Sequence, residues 1–299
     1  MYYLDQAKNN IVIQDFINSL DAEATTKETY LKGARKFITW VNESGLKEIN
    51  EQDLINYKNY LKANYKNSSV SMYITSLKKL YKYLEKKGVK NIASDLKGAK
   101  SSRNFKKDPL TIGQTKELLN SIDKETKEGL RNFALIKLLV GTGLRTIEIE
   151  RANKEDIRNL GSQAVLYIQG KGRQDKSEYV VLSDSILKAI NEYLSVRNDD
   201  NEALFISFSD RTNGQRLKTR SIRDIVKKAY KKIGINNDKI TTHSLRHTAI
   251  TLSLLGGATL QEAQNLARHS NINTTLIYAH NIDRINNNAE SKIEALLEG

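Results

Sequence analysis

The chain has four histidines, and all lie between residues 241 and 280: His243, His247, His269 and His280. The same stretch carries Arg246, three residues after His243, so the two share one face of a helix. Tyr278 follows His269 by nine residues. Imidazoles, a guanidinium and a phenol suit the handling of a phosphodiester better than that of a metal or an acyl group.

The absent motifs narrow the chemistry. Cysteine is missing altogether, which excludes disulfides, thiolate metal sites and thiol nucleophiles. There is no GxxxxGK[ST] loop, no G-x-S-x-G elbow and no compact carboxylate cluster for two Mg²⁺ ions. A metal-free route to strand cleavage remains. A tyrosine attacks phosphorus and forms a phosphotyrosyl ester. Two arginines hold the non-bridging oxygens as charge builds. A lysine or histidine protonates the leaving 5′ oxygen. Tyr278, Arg145, Arg246, His243, His269 and Lys171 supply that set, with no cofactor and no metal.

Each of these residues also has a plainer reading. A tyrosine on an apolar helix is usually core, and H-x-x-R can be a simple helix-face pair. Arg145 can pair with Glu148 or Glu150, and a turn lysine is usually solvated. The joint arrangement is what points to chemistry.

The elements that must position these groups follow from periodicity. Arg145 comes just after Gly143 at the end of an apolar helix over 130–143, a turn that would present its side chain. Two strands are predicted over 164–169 and 178–182, with Gly170-Lys171-Gly172-Arg173 as the hairpin tip. A helix near 184–197, a short strand near 203–206 and a basic helix at 220–233 follow. Thr242 is placed as the cap of a helix beginning at His243, Thr259 as the cap of the next, and 273–279 as a short helix carrying Tyr278. Ile293, Leu296 and Leu297 give the last helix, 289–297, an apolar stripe in need of a partner, either its own domain or a neighbouring subunit.

The first hundred residues read as a four-helix bundle. A helix near 8–19 turns Ile11, Phe16 and Leu20 inward. Thr25 to Glu28 is a capping-box start, Asn50 caps a third helix, and Ser68 or Ser69 caps a fourth that ends at Gly88. Residues 98–109, with glycine, serines, basic residues and the chain's one proline, Pro109, form the linker. The expected division is 1–97, a helical DNA-binding domain; 98–109, a basic linker; and 110–299, the catalytic domain.

Net charge is +13 over 299 residues. Residues 58–107 hold fourteen Lys and Arg against Glu85 and Asp95, so the excess is concentrated there. A folded segment with such a surplus suits a polyanion. Lys78, Lys79, Lys82, Lys86 and Lys87 fall off the apolar stripe. Together with Arg103, Lys106, Lys107 and Arg173 they are the expected DNA contacts. No membrane-length apolar run and no signal-peptide layout is present, so the cytoplasm is the expected compartment.

These motifs resemble the tyrosine recombinases, or phage integrase family, and among them the short Xer-type members. TGLRTIEI matches the first family arginine at Arg145, with Glu148 as its acidic partner. HSLRHT gives the H-x-x-R pair at His243 and Arg246, with His247 in support. The run from His269 to His280 puts the family nucleophile at Tyr278. GKGR matches the strand-turn lysine at Lys171, for which Lys176 is the alternative. Two positions depart from the family pattern. Thr242 stands where proline is common, and Arg268 where glycine is common. An arginine there would be strained if its φ is positive, and it would add a cation near the phosphate.

The resemblance implies a mainly α fold with a small antiparallel β-sheet: an N-terminal SAM-like core-binding bundle and a mixed α+β catalytic domain. It implies a C-shaped clamp on duplex DNA, strand exchange through a Holliday junction, and a tetramer on two sites assembled through 289–297. The chain begins almost at the core-binding helices, as a simple recombinase would. The readings left beside recombination are a type IB-like topoisomerase and a catalytically silent DNA-binding regulator.

Overall fold

The computed structural model describes residues 6–100, 108–170, 175–237, 239–286 and 289–298. Two compact units divide the chain, residues 1–104 and 105–299.

In the first unit, four helices build the bundle: α1 (Gln6–Asn18), α2 (Ala24–Glu43), α3 (Glu51–Asn64) and α4 (Asn67–Glu85). α2 and α4 pack closely because Gly33 has no side chain. A Cβ there would lie 2.4 Å from the Cβ and Oγ of Ser76. Ser76 is buried and donates its hydroxyl to the Tyr30 carbonyl at 2.7 Å. Phe37, Val41, Leu54, Tyr57, Leu61, Ile74 and Leu77 fill the main core. Lys78, Lys79, Lys82, Lys86 and Lys87 are all exposed. After α4 the chain runs back along it, where Asn67 and Ser71 donate to the carbonyls of Lys100 and Ala99 at 2.9 Å.

The second unit contains α5 (Ile112–Asn120), α6 (Lys127–Thr142) and α7 (Thr146–Arg151). A three-stranded antiparallel sheet follows: β1 (Ile157–Leu160), β2 (Gln163–Ile168) and β3 (Glu178–Val181), in that order. Leu166 pairs with Ile157 on one side and with Val180 on the other. Then come α8 (Asp184–Ser195), α9 (Thr219–Lys232), α10 (Thr242–Leu255), α11 (Leu260–Ala267), α12 (Asn273–Asn286) and α13 (Ala289–Glu298). α6 and α10 form the unit's centre. α10 buries every residue from Ser244 to Ile250, which requires neighbours on all its faces. Its Thr248 hydroxyl accepts from the backbone N–H of Leu110 at 2.8 Å, fixing the chain's entry into the unit.

Several expectations are corrected. α2 starts at Ala24 with Glu23 at the cap, and α4 starts at Asn67 with Lys66 at the cap, neither making a side-chain cap bond. Thr241, not Thr242, caps α10, because the chain enters the helix one residue earlier. Ile11 points outward at 61% exposure, and Ile13, Phe16 and Ile17 line the core instead. The strand expected near 203–206 reduces to single bridges, Asn153 with Ala203 and Ile206 with Arg216. β1 was not expected. α12 runs on past Ala279 to Asn286. On α13, Ile293, Leu296 and Leu297 are exposed at 58%, 83% and 82%.

Candidate active site

Arg145 is positioned by the way α6 ends. Gly143 turns left-handed at φ 62°, a conformation open to glycine, and lets the chain reverse into α7. Arg145 becomes the residue that caps α7. The carboxylate of Glu148 is fully buried one turn on. Its Oε2 accepts the backbone N–H of Arg145 at 2.7 Å, and its Oε1 accepts the Arg145 Nη1 at 2.8 Å. The acidic partner expected for Arg145 is therefore in contact with it. Glu150 turns elsewhere and accepts from the Thr219 N–H at 2.7 Å.

Arg246 is 3% exposed on α10. Its Nη1 donates to the Gly143 carbonyl at 2.6 Å, and its Nη2 donates to the Ala267 carbonyl. Two backbone acceptors from the ends of α6 and α11 thus aim one guanidinium. Burial, with Arg145 and Arg268 nearby, pulls its pKa down to about 10, so it stays cationic at neutral pH.

The phenol of Tyr278, 5% exposed, is hydrogen-bonded to Nδ1 of His247. The His269 ring lies 6.4 Å from the Tyr278 ring, centroid to centroid, and nearly parallel at 22°. The His243 and His247 rings meet edge-on at 4.9 Å. Burial raises the Tyr278 phenol above its ordinary range, and the Arg246 charge opposes that rise. Burial lowers His247 to about 4, helped by His243, Arg246 and His269. Burial likewise lowers His269 to about 4, with Arg246, Arg145 and Arg268 adding to it. His243 is lowered in the same way, by burial and then by Arg246 and Arg145. The imidazoles are therefore neutral at pH 7 and can accept a proton.

Arg145, His243, Arg246, His247, His269 and Tyr278 are thus brought together with Glu148. Lys171 and Arg173 lie outside the described residues, as do Arg103, Lys106 and Lys107. Lys176, the alternative lysine, donates to the buried carboxylate of Asp156 at 2.5 Å, which gives it a structural partner. His280 is exposed.

Three contacts were not legible in the sequence. The buried Thr275 hydroxyl is hydrogen-bonded to His269 Nδ1 at 2.9 Å and orients that ring. The Ala267 carbonyl holds Arg246. Arg268 closes on Glu148, its Nη2 donating to Oε2 at 2.9 Å. Only Thr275 left a signal, as part of the Thr-Thr step between His269 and Tyr278. An open cleft of about 400 Å³ flanks this cluster, bordered by Ser177, Glu178, Gln264, Arg268 and His269.

Residues 109–284 match the phage integrase family, and residues 12–91 match the phage integrase N-terminal SAM-like domain. The chain is 36% identical over 217 residues to tyrosine recombinase XerC of Caldanaerobacter subterraneus subsp. tengcongensis, an alignment covering 69% of this chain and 57% of that protein. It is 30% identical over 287 residues to tyrosine recombinase XerD of Lacticaseibacillus casei, covering 90% of this chain and 93% of that one. In fold it is similar to the XerH site-specific recombinase bound to palindromic difH substrate in a post-cleavage complex. That likeness has a TM-score of 0.76 at 23% identity and covers 92% of this chain and 81% of the other. The chain belongs to the phage integrase family, the tyrosine site-specific recombinases, and is similar to its Xer-type members.

Proposed function

We propose that this chain cuts and rejoins DNA at specific sites, with Tyr278 as the nucleophile and no metal or ATP in the reaction. The observation that carries this reading is the convergence of a buried tyrosine, neutral imidazoles and two aimed guanidiniums in one unit. The phenolic oxygen of Tyr278 attacks phosphorus, and the bond to the 5′ oxygen breaks. Arg145 and Arg246 hold the non-bridging oxygens as their charge grows. His247, uncharged at neutral pH and hydrogen-bonded to the phenol through Nδ1, is suited to accept the phenolic proton, with the His269 and His243 rings beside it. That leaves protonation of the 5′ oxygen to Lys171, the one remaining acid of the set. The 3′-phosphotyrosyl ester keeps the bond energy, so a second 5′-hydroxyl reseals the strand by the reverse path.

The domain reading goes with this: 1–97 as the core-binding domain, 98–109 as a basic linker and 110–299 as the catalytic domain. Duplex DNA carrying the recombination sites is the partner. The exposed α4 lysines are offered to its phosphates. The exposed α13 stripe is the surface through which subunits assemble as a tetramer on two sites, in the cytoplasm. On the test substrate, a duplex the chain itself selects from random DNA, Tyr278→Phe is expected to bind normally and form no covalent adduct. An adduct from that variant, detected as a denaturant-stable protein–DNA band, would remove Tyr278 from the mechanism.

A further inference from the structure

Arg268 is the one residue other than glycine with positive φ among the described residues, at φ 52° and ψ 47°. It closes α11 in the left-handed conformation that glycine adopts freely and an arginine resists. A glycine would make this turn at lower energy, so the turn alone does not explain the arginine.

The side chain supplies the explanation. It is 8% exposed. Its Nη1 donates to the Leu266 carbonyl at 2.9 Å, and its Nη2 donates to Glu148 Oε2 at 2.9 Å. Its Nε is buried and has no hydrogen-bond partner among the described residues. Glu148 is thus gripped from two sides. Oε2 receives the Arg145 N–H and Arg268, while Oε1 is left to the Arg145 guanidinium. α11 therefore reaches both active-site arginines, Arg246 through the Ala267 carbonyl and Arg145 through Arg268 and Glu148. A carboxylate held by Arg145 alone could rotate with it. Held at Oε2 by a second guanidinium, it presents Oε1 in one place.

We infer that Arg268 is a positioning residue for strand cleavage: by anchoring Glu148 it fixes the orientation in which Arg145 meets the scissile phosphate. This rests on the reading of Tyr278 and Arg145 above. Arg268 acts through Glu148, and so its weight falls on the chemical step and not on DNA affinity.

The test uses the full chain and a labelled duplex of the sequence that wild-type protein selects from random DNA, nicked so that the covalent adduct is trapped. Arg268→Gly suits the left-handed turn but strips one guanidinium from a buried carboxylate, so its thermal midpoint is expected to fall and the assays are run well below it. Its affinity for the duplex should stay within about twofold, while single-turnover adduct formation at saturating DNA slows about ten- to a hundredfold, the range that outer partners of an active group command. Arg268→Lys, charged but without the planar two-point hold, should fall between. In a Glu148→Gln background the further loss from Arg268→Gly should shrink, because the two act on one group. An Arg268→Gly protein that forms adduct at the wild-type rate overturns the inference. So does one whose binding weakens with a salt slope lowered by about one, the mark of a direct phosphate contact. If wild type itself forms no adduct, the nucleophile reading fails; if it does and the variant equals it, only the role of Arg268 fails.

Discussion

The imidazoles of His247 and His269 are held uncharged at neutral pH by burial and by the arginines around them, each near 4 against an ordinary 6.5. In the folded chain they resist protonation, whereas in the unfolded chain they accept it. Acid therefore favours the unfolded state. Stability is fully present above pH 6.5 and is lost as pH falls from there toward 4. His269 is partly screened by solvent while His247 is buried, so the joint loss by about pH 5 should be on the order of 3 kcal/mol. Thermal unfolding at about pH 7.5 and about pH 5 would read it, and His269→Gln should reduce the drop. At this scale much of the site was legible, because residue type and order were enough to gather Arg145, His243, Arg246, His269 and Tyr278. Their partners were not. The contact of Arg268 with Glu148 joins residues 120 positions apart, and no local pattern encodes it. By sequence His247 has only a supporting role, since its meeting with Tyr278 depends on how α10 packs on α12 and not on the spacing along either helix.

Helices were legible where an apolar stripe had to be buried, as in α3 with Leu54, Tyr57 and Leu61. Boundaries were legible where a cap made a bond: Asn50 accepts the Asp53 N–H, and Thr259 accepts that of Glu262. They failed where the cap makes no side-chain bond, at Glu23 and Lys66, because nothing local marks the first turn. β1 was missed because Ile-Arg-Asn-Leu carries little strand preference. It is a strand because β2 lies beside it. The packing of α2 on α4 gives this scale its prediction. Gly33→Ala puts a Cβ 2.4 Å from Ser76 and separates the two helices. A loss of about 1–3 kcal/mol is expected, measured as a lower denaturant midpoint for the first unit's transition.

For the whole molecule, α13 leaves three large apolar side chains in solvent. Proteins rarely leave such a stripe uncovered without a partner for it. Removal of residues 289–299 should leave single-site DNA binding intact and abolish the higher-order complex on two sites, as read by sedimentation with DNA. A truncated chain that still assembles would place the subunit contact elsewhere. The stowed phenol of Tyr278 has a further consequence. The chain holds 14 tyrosines, and a reagent that nitrates phenols must reach them through solvent. Tyr179, 45% exposed, should be modified early, while Tyr278, at 5%, should stay intact in protein without DNA. Peptide mass mapping would then make Tyr278 a reporter of engagement: without DNA its peptide is recovered unmodified, and on cleavable DNA that peptide is lost to the phosphotyrosyl ester while the nitration of Tyr179 is unchanged.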